Sequence, residues 1–177
     1  MTMYEKALAY AQEKHKNQTR KYTGEPYINH CVHVVEILCQ YGFNSDIMKT
    51  VAVLHDTVED TDATFQEIGE QFGVLIRNMV FFLTDTVGHQ YGNRKTRFEL
   101  NAEHIISSPY PLTYAVKCAD LISNTLSIRD HDPEFAKVYL AEKRYLLNAM
   151  KDSFTGGTCG IEHEAIFKRA VELAGKQ

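Results

Sequence analysis

Apolar residues recur at three- and four-residue spacing along almost the whole chain, and that periodicity restricts the fold more than any other feature. Met3, Ala7, Tyr10 and Ala11 share one helical face, as do Ile28, Val32, Val35 and Leu38, and again Ile47, Val51, Leu54 and Val58. Leu112, Ala115, Val116, Ala119 and Ile122 stripe a later helix. Phe135, Val138, Glu142, Tyr145 and Ala149 follow at similar spacing, and Phe167, Ala170, Val171 and Ala174 mark a last one. Thr64-Phe65-Gln66-Glu67 has the form of a capping box opening another helix. The prolines, at 26, 109, 111 and 133, fall between these segments. Met79–Thr84 is apolar enough for a strand, but it reads better as the continuation of a helix begun near Val74. The expectation is an all-α domain over residues 1–177, with polar loops at 85–93 and 153–160. The 85–93 loop is long enough to move.

Composition excludes several classes of function. With 177 residues the chain can bury a core without staples. A net charge of −4 gives no global basic footprint for duplex nucleic acid. The apolar runs are too short to span a bilayer. The N-terminal MTMYEKALAY lacks the basic-then-apolar order of a secretory signal. Cysteines at 31, 39, 118 and 159 form no CxxC pair and read as reduced thiols, so a cytoplasmic location is expected.

The chemistry-bearing run is Leu54-His55-Asp56-Thr57-Val58-Glu59-Asp60-Thr61. On one continuous helix, Glu59 stands beside His55 and Asp56, and Asp60 beside Asp56. His55 falls within the apolar stripe and points inward. Three carboxylates then crowd a helix C-terminus, against the macrodipole, with no Lys or Arg in 50–76 to offset them. A divalent cation is the simplest neutralising partner that also uses an imidazole. A solvated acidic helix end with one hydrogen-bonded histidine is the alternative. His30, at the start of an apolar helix, and Asp120, within the apolar stretch VKCADLIS, complete a mixed set of two imidazoles and two carboxylates. That set suits Mn²⁺, Fe²⁺ or Zn²⁺ better than an all-oxygen Mg²⁺ or Ca²⁺ cage. Arg20 and Lys21 offer a purine-stacking guanidinium and a point charge for phosphate; a solvated basic turn is the plainer reading. Arg94, Lys95 and Arg97 are read as a solvated helix face, with anion binding as the alternative.

RKYTGEPYINH, LHDTVEDT and KCADLISNT, in this order and spacing, closely resemble the HD-domain hydrolases of the alarmone (p)ppGpp, over about residue 4 to at least 150. These comprise the hydrolase domain of Rel/Spo enzymes and the stand-alone small alarmone hydrolases, and the chain's length resembles the stand-alone type. The resemblance implies an HD-domain helical bundle. It implies His30, His55, Asp56 and Asp120 as ligands of a metal, usually Mn²⁺, with other divalent transition metals allowed. Glu59 and Asp60 match the pair that positions or activates the attacking water. Arg20, Lys21, Asn124, Ser127 and Tyr139 match nucleotide-contacting positions. Cys31 departs from the family's proline, and Cys118, Leu121 and Ser123 depart from its usual KLADRLHN.

The implied reaction is metal-dependent removal of the 3′-pyrophosphate of (p)ppGpp, giving GDP or GTP and pyrophosphate, in the stringent response. Two alternatives stay open. One is an HD phosphohydrolase for another nucleotide or a 3′-phosphorylated acceptor such as NADPH or a pyrophosphorylated RNA end, in an antitoxin-like role. The other is a non-catalytic nucleotide sensor. The expected partner is a guanosine nucleotide, without membrane or duplex nucleic acid; a cognate synthetase or toxin, and the oligomeric state, are left open. His15, His33, His89, His104, His131 and His163 receive no assigned role, although His33 lies one turn from His30 and is placed to support it.

Overall fold

Side chains that satisfy free backbone amides set many of the helix starts. A computed structural model of the chain describes residues 1–155 and 160–175. Helix α1 (Met3–Lys14) opens on Thr2 with a reciprocal Glu5 capping box, and the Asp46 carboxylate also accepts from the Met3 amide at 2.9 Å. Helix α2 spans Ile28–Gln40, and α3 (Asp46–Leu54) starts where the Ser45 hydroxyl accepts from the Met48 amide. A short α4 (Thr57–Asp60) leads to α5 (Phe65–Phe72), which carries the Thr64–Glu67 capping box expected from its sequence. Gly73, at φ 92°, turns the chain between α5 and α6 (Val74–Leu83), a conformation only glycine adopts without strain. The 79–84 run is therefore helical as far as Leu83.

A 3₁₀ turn at His89–Tyr91 interrupts the 85–93 segment before α7 (Arg94–Ile106). Helices α8 (Pro111–His131) and α9 (Pro133–Thr155) each begin on the proline that precedes their apolar pattern, where a missing N–H costs nothing. Helix α10 spans Ile161–Ala174. Among the described residues there is no strand, only an isolated antiparallel bridge between Thr19 and Pro26, and no helix is long and apolar enough to cross a membrane.

Helix α8 runs through the middle, packed by α2, α3, α6, α9 and α10, while α1 covers α3 and α5 covers α6. Its burial explains the apolar stretch around Asp120: Ala115, Val116, Cys118, Ala119 and Leu121 are all within the core. Cys31 and Cys118 are buried free thiols, whose burial pushes their pKa up, consistent with packing roles. Cys159 lies outside the described residues.

Three local readings change. The helix expected across Ile47–Val58 ends at Leu54; His55 and Asp56 form a turn with right-handed backbone, Asp56 at φ −96° and ψ −4°, and α4 begins at Thr57. Ile47, in the first turn of α3, is exposed, while Val51 and Leu54 on the same face are buried. The buried face of α9 is formed by Ala136, Tyr139, Leu146, Leu147, Met150 and Phe154, whereas Val138 and Tyr145 are about half exposed, at 49% and 50%. The expected stripe missed this face because Tyr145 is an aromatic that packs edge-on against Phe98 outside the main core. The loop expected at 153–160 begins later, since α9 continues to Thr155, and residues 156–159 lie outside the described residues.

Leu54, fully buried at the end of α3, anchors the turn that carries His55. Replacing it by Ala should cost about 2–5 kcal/mol, from lost transfer energy plus the cavity left behind. Urea denaturation of the two proteins checks this.

Candidate metal centre

Three separate elements deliver the acidic and imidazole groups to one point. His30 comes from the first turn of α2, His55 and Asp56 from the turn between α3 and α4, and Asp120 from the middle of α8. His30, His55 and Asp120 are 3%, 1% and 6% exposed, so water does not neutralise them. His30 Nε2 lies 3.5 Å from Asp56 Oδ2 and 3.3 Å from Asp120 Oδ1. His55 Nε2 lies 3.0 Å and 3.9 Å from the same two oxygens.

The outer ring nitrogens are already engaged. His55 Nδ1 donates to the Ala52 carbonyl at 2.7 Å, which directs the Nε2 lone pair inward in the neutral ring. His30 Nδ1 sits 3.0 Å from Ser123 Oγ, and so does His33 Nδ1. Both Nε2 atoms are buried and lack a hydrogen bond of acceptable geometry. Two lone pairs facing two carboxylate oxygens require positive charge between them. Protons can supply it: burial opposes the charged form, but Asp56 and Asp120 push His55 up to about 10 and raise His30. A cation can supply it better, because one ion meets all the donors together. The ligand atoms of His30, His55 and Asp56 lie within 4.8 Å of one another, and mixed nitrogen and oxygen donors fit a divalent transition metal.

The surrounding hydrogen bonds orient the donors rather than merely packing them. The Tyr27 hydroxyl donates to Asp56 Oδ2 at 2.7 Å. Asn124 Nδ2 donates to Asp120 Oδ1 at 2.6 Å, and Arg20 donates to Asn124 Oδ1 at 3.0 Å, which fixes the amide's orientation. Lys117, one turn before Asp120 on α8, contacts its other oxygen, Oδ2, at 3.2 Å. Burial works against the Lys117 charge, yet Asp120, Asp85, Glu59 and Asp56 hold the ammonium well above its ordinary range. This is the cation that residues 50–76 do not provide; it is supplied across the fold.

Glu59 and Asp60 follow on α4. The Glu59 carboxylate accepts from the Asp85 amide at 2.7 Å. Desolvation first, then the charges of Asp56 and Asp85, push Glu59 up to about 8, against Lys117, although the side chain stays open to the cavity. Asp60 accepts from Gln18 at 3.0 Å, and Gln18 is held by His15, which stacks on Tyr27. The expected contact of Glu59 with His55 through one continuous helix is replaced by this arrangement, because the helix breaks at Asp56.

Two cavities flank the centre. One, of about 720 Å³, is lined by Glu59, Asp60, Asp85, Arg94, Arg97, Asn124, Phe135, Tyr139 and Lys143. The other, about 350 Å³, is lined by Arg20, His30, His33, Ser123, Ser127 and His131. The sequence-derived contact residues thus divide: Asn124 and Tyr139 face the larger space, Arg20 and Ser127 the smaller. Lys21 lines neither; its ammonium sits over the Tyr22 ring at 4.8 Å. Arg94 and Arg97 were read as a solvated face but border the larger cavity, while Lys95 is exposed and pairs with Glu99 at 3.8 Å. Sequence reasoning missed Tyr27, Gln18, Lys117 and Lys143. Spacing offered a signal only for Lys117, which lies three residues before Asp120 on the same helix.

A model of the HD domain family matches residues 7–110. The chain belongs to the HD domain family. Among curated HD-type relatives, the guanosine-3′,5′-bis(diphosphate) 3′-pyrophosphohydrolase MESH1 of Danio rerio is 36% identical over 127 residues, covering 71% of this chain and 68% of that protein. Its Xenopus tropicalis counterpart is 40% identical over 132 residues, covering 72% and 70%. The solved structure of a metazoan ortholog of SpoT, described as hydrolysing ppGpp and acting in starvation responses, superposes with a TM-score of 0.80 at 24% identity, covering 99% of this chain and 97% of that one. That likeness extends the HD helical fold over essentially the full length.

Because Asp56 and Asp120 favour the protonated form of both imidazoles in the absence of metal, a metal has to compete with protons to bind. Affinity should therefore fall as pH is lowered from 8 to 6, by about tenfold per pH unit for each proton displaced. Titration of metal-stripped protein with Mn²⁺ at several pH values, with proton release followed in parallel, checks the slope; a pH-independent affinity contradicts it.

Proposed function

We propose that this chain is a metal-dependent hydrolase that removes the 3′-pyrophosphate of (p)ppGpp, giving GDP or GTP and pyrophosphate. The observation that carries the reading is the pair of buried imidazole nitrogens without hydrogen bonds, facing two carboxylates beside a cavity with both acidic and basic walls. The MESH1 relatives support the choice of substrate. At about 720 Å³, the cavity falls within the size range of nucleotide and small-ligand sites.

His30, His55, Asp56 and Asp120 would hold the metal, with Mn²⁺ the preferred ion. When bound, a divalent metal lowers the pKa of water and polarises a phosphate oxygen. The remaining work falls to the chain. Glu59 is the general base: partial desolvation at the cavity wall and the charges of Asp56 and Asp85 raise its affinity for a proton from water. The Asp85 amide fixes the orientation of its carboxylate. Asp60, held by Gln18, aligns the attacking water. Arg20 braces Asn124, which sets Asp120 and faces the nucleotide cavity. The charge of the departing pyrophosphate is met by the basic side chains of the cavity wall. The reading treats residues 1–177 as one catalytic unit.

Metal-stripped protein with Mn²⁺ restored should release GDP and pyrophosphate together from ppGpp. Glu59→Gln should lower kcat by about 10²–10⁴-fold while retaining metal and nucleotide binding. Equal turnover by Glu59→Gln removes it as the base, and metal binding without any ppGpp turnover overturns the substrate assignment.

A further inference from the structure

Resting on the proposed reaction, we infer that Lys143 is the residue that receives the substrate's 3′-pyrophosphate and so distinguishes the alarmone from its nucleoside diphosphate product. The cations of the larger cavity are not equivalent. Arg94 is committed to Glu142 through two hydrogen bonds, at 2.7 and 2.8 Å. Arg97 donates to the Gly92 carbonyl at 2.6 Å. Lys143 lines the same space, with no hydrogen bond or ion pair to any described residue. Its ammonium instead lies over the Tyr139 ring at 4.8 Å and the Phe98 ring at 5.9 Å.

Those aromatic faces hold the amine against the cavity wall but leave its three donors without acceptors. Burial and the nearby Lys117 push the amine down to about 8, against Asp120, Asp85 and Glu142. An unpaired amine in such a place is costly unless an anion arrives. The acidic residues lining the same cavity, Glu59, Asp60 and Asp85, do not take an anion. A phosphoryl oxygen is the acceptor that matches both the charge and the empty donors. Tyr139 then serves as the rigid platform that aims the ammonium, which assigns it a supporting role beside the nucleotide.

The test uses the Mn²⁺-loaded protein and inorganic pyrophosphate, with GDP as the comparison ligand, by titration calorimetry. Lys143→Met should weaken pyrophosphate binding by about tenfold or more, Lys143→Arg should restore most of it, and GDP affinity should be unchanged in both. With ppGpp as substrate, Lys143→Met should raise KM more than it lowers kcat. Unchanged pyrophosphate affinity overturns the assignment, as does an equal loss for GDP, which marks a general structural or 5′-phosphate role. Failure of the wild type to bind pyrophosphate also overturns it. If the wild type binds pyrophosphate but does not hydrolyse ppGpp, the proposed reaction falls while the assignment of Lys143 is still decided by the binding comparison.

Discussion

Two carboxylates face two imidazoles in a space nearly closed to water, and the local structure is organised around balancing that charge. An unpaired buried carboxylate is expensive, so each one here is answered from more than one direction. Asp120 directs Oδ2 to Lys117 and Oδ1 to Asn124 and the imidazoles. Asp56 takes the Tyr27 hydroxyl on the oxygen that also faces His30 and His55. The outer Nδ1 atoms of both imidazoles have partners within the protein, while the inward-facing Nε2 nitrogens do not. That asymmetry distinguishes a prepared cation site from an ordinary buried ion pair.

The fold serves this arrangement by bringing rigid elements together around α8. Asp120 sits on a helix locked by neighbours on many sides, so its position is set by core packing. The break after Leu54 has the opposite character. It places His55 and Asp56 in a turn beside His30 and starts α4 at Thr57, where Glu59 accepts from the Asp85 amide. A continuous helix would keep Glu59 stacked on His55 and away from the cavity.

Much of this was legible in the sequence. Periodicity and capping identified the helices at 64–83 because their signals are local: the Thr64–Glu67 box and the glycine at 73 act within a few residues. The inward direction of His55 also followed from its place in an apolar stripe. The break at Asp56 was hidden, because nothing in LHDTVEDT forbids a helix; the carboxylate's partners on α2 and α8 are long-range. The buried face of α9 was misread for a related reason, since aromatic Tyr145 packs on Phe98 of α7 rather than in the central core. Ser123, a departure from the family pattern, turns out to bridge His30 and His33, a role that depends on the register of α2 against α8. Lys143 was hidden because a lysine's lack of a charge partner is visible only in three dimensions, whereas the i, i+3 spacing of Lys117 and Asp120 was a local signal left unused.

Crystals grown with Mn²⁺ and measured at its absorption edge test the central claim most directly. The account predicts one anomalous peak, about 2.0–2.3 Å from His30 Nε2 and His55 Nε2 and in contact with carboxylate oxygens of Asp56 and Asp120. It also predicts that the Lys117–Asp120 and Tyr27–Asp56 contacts persist with the ion in place. An ion bound elsewhere, or no ion at these four residues at saturating Mn²⁺, would contradict it.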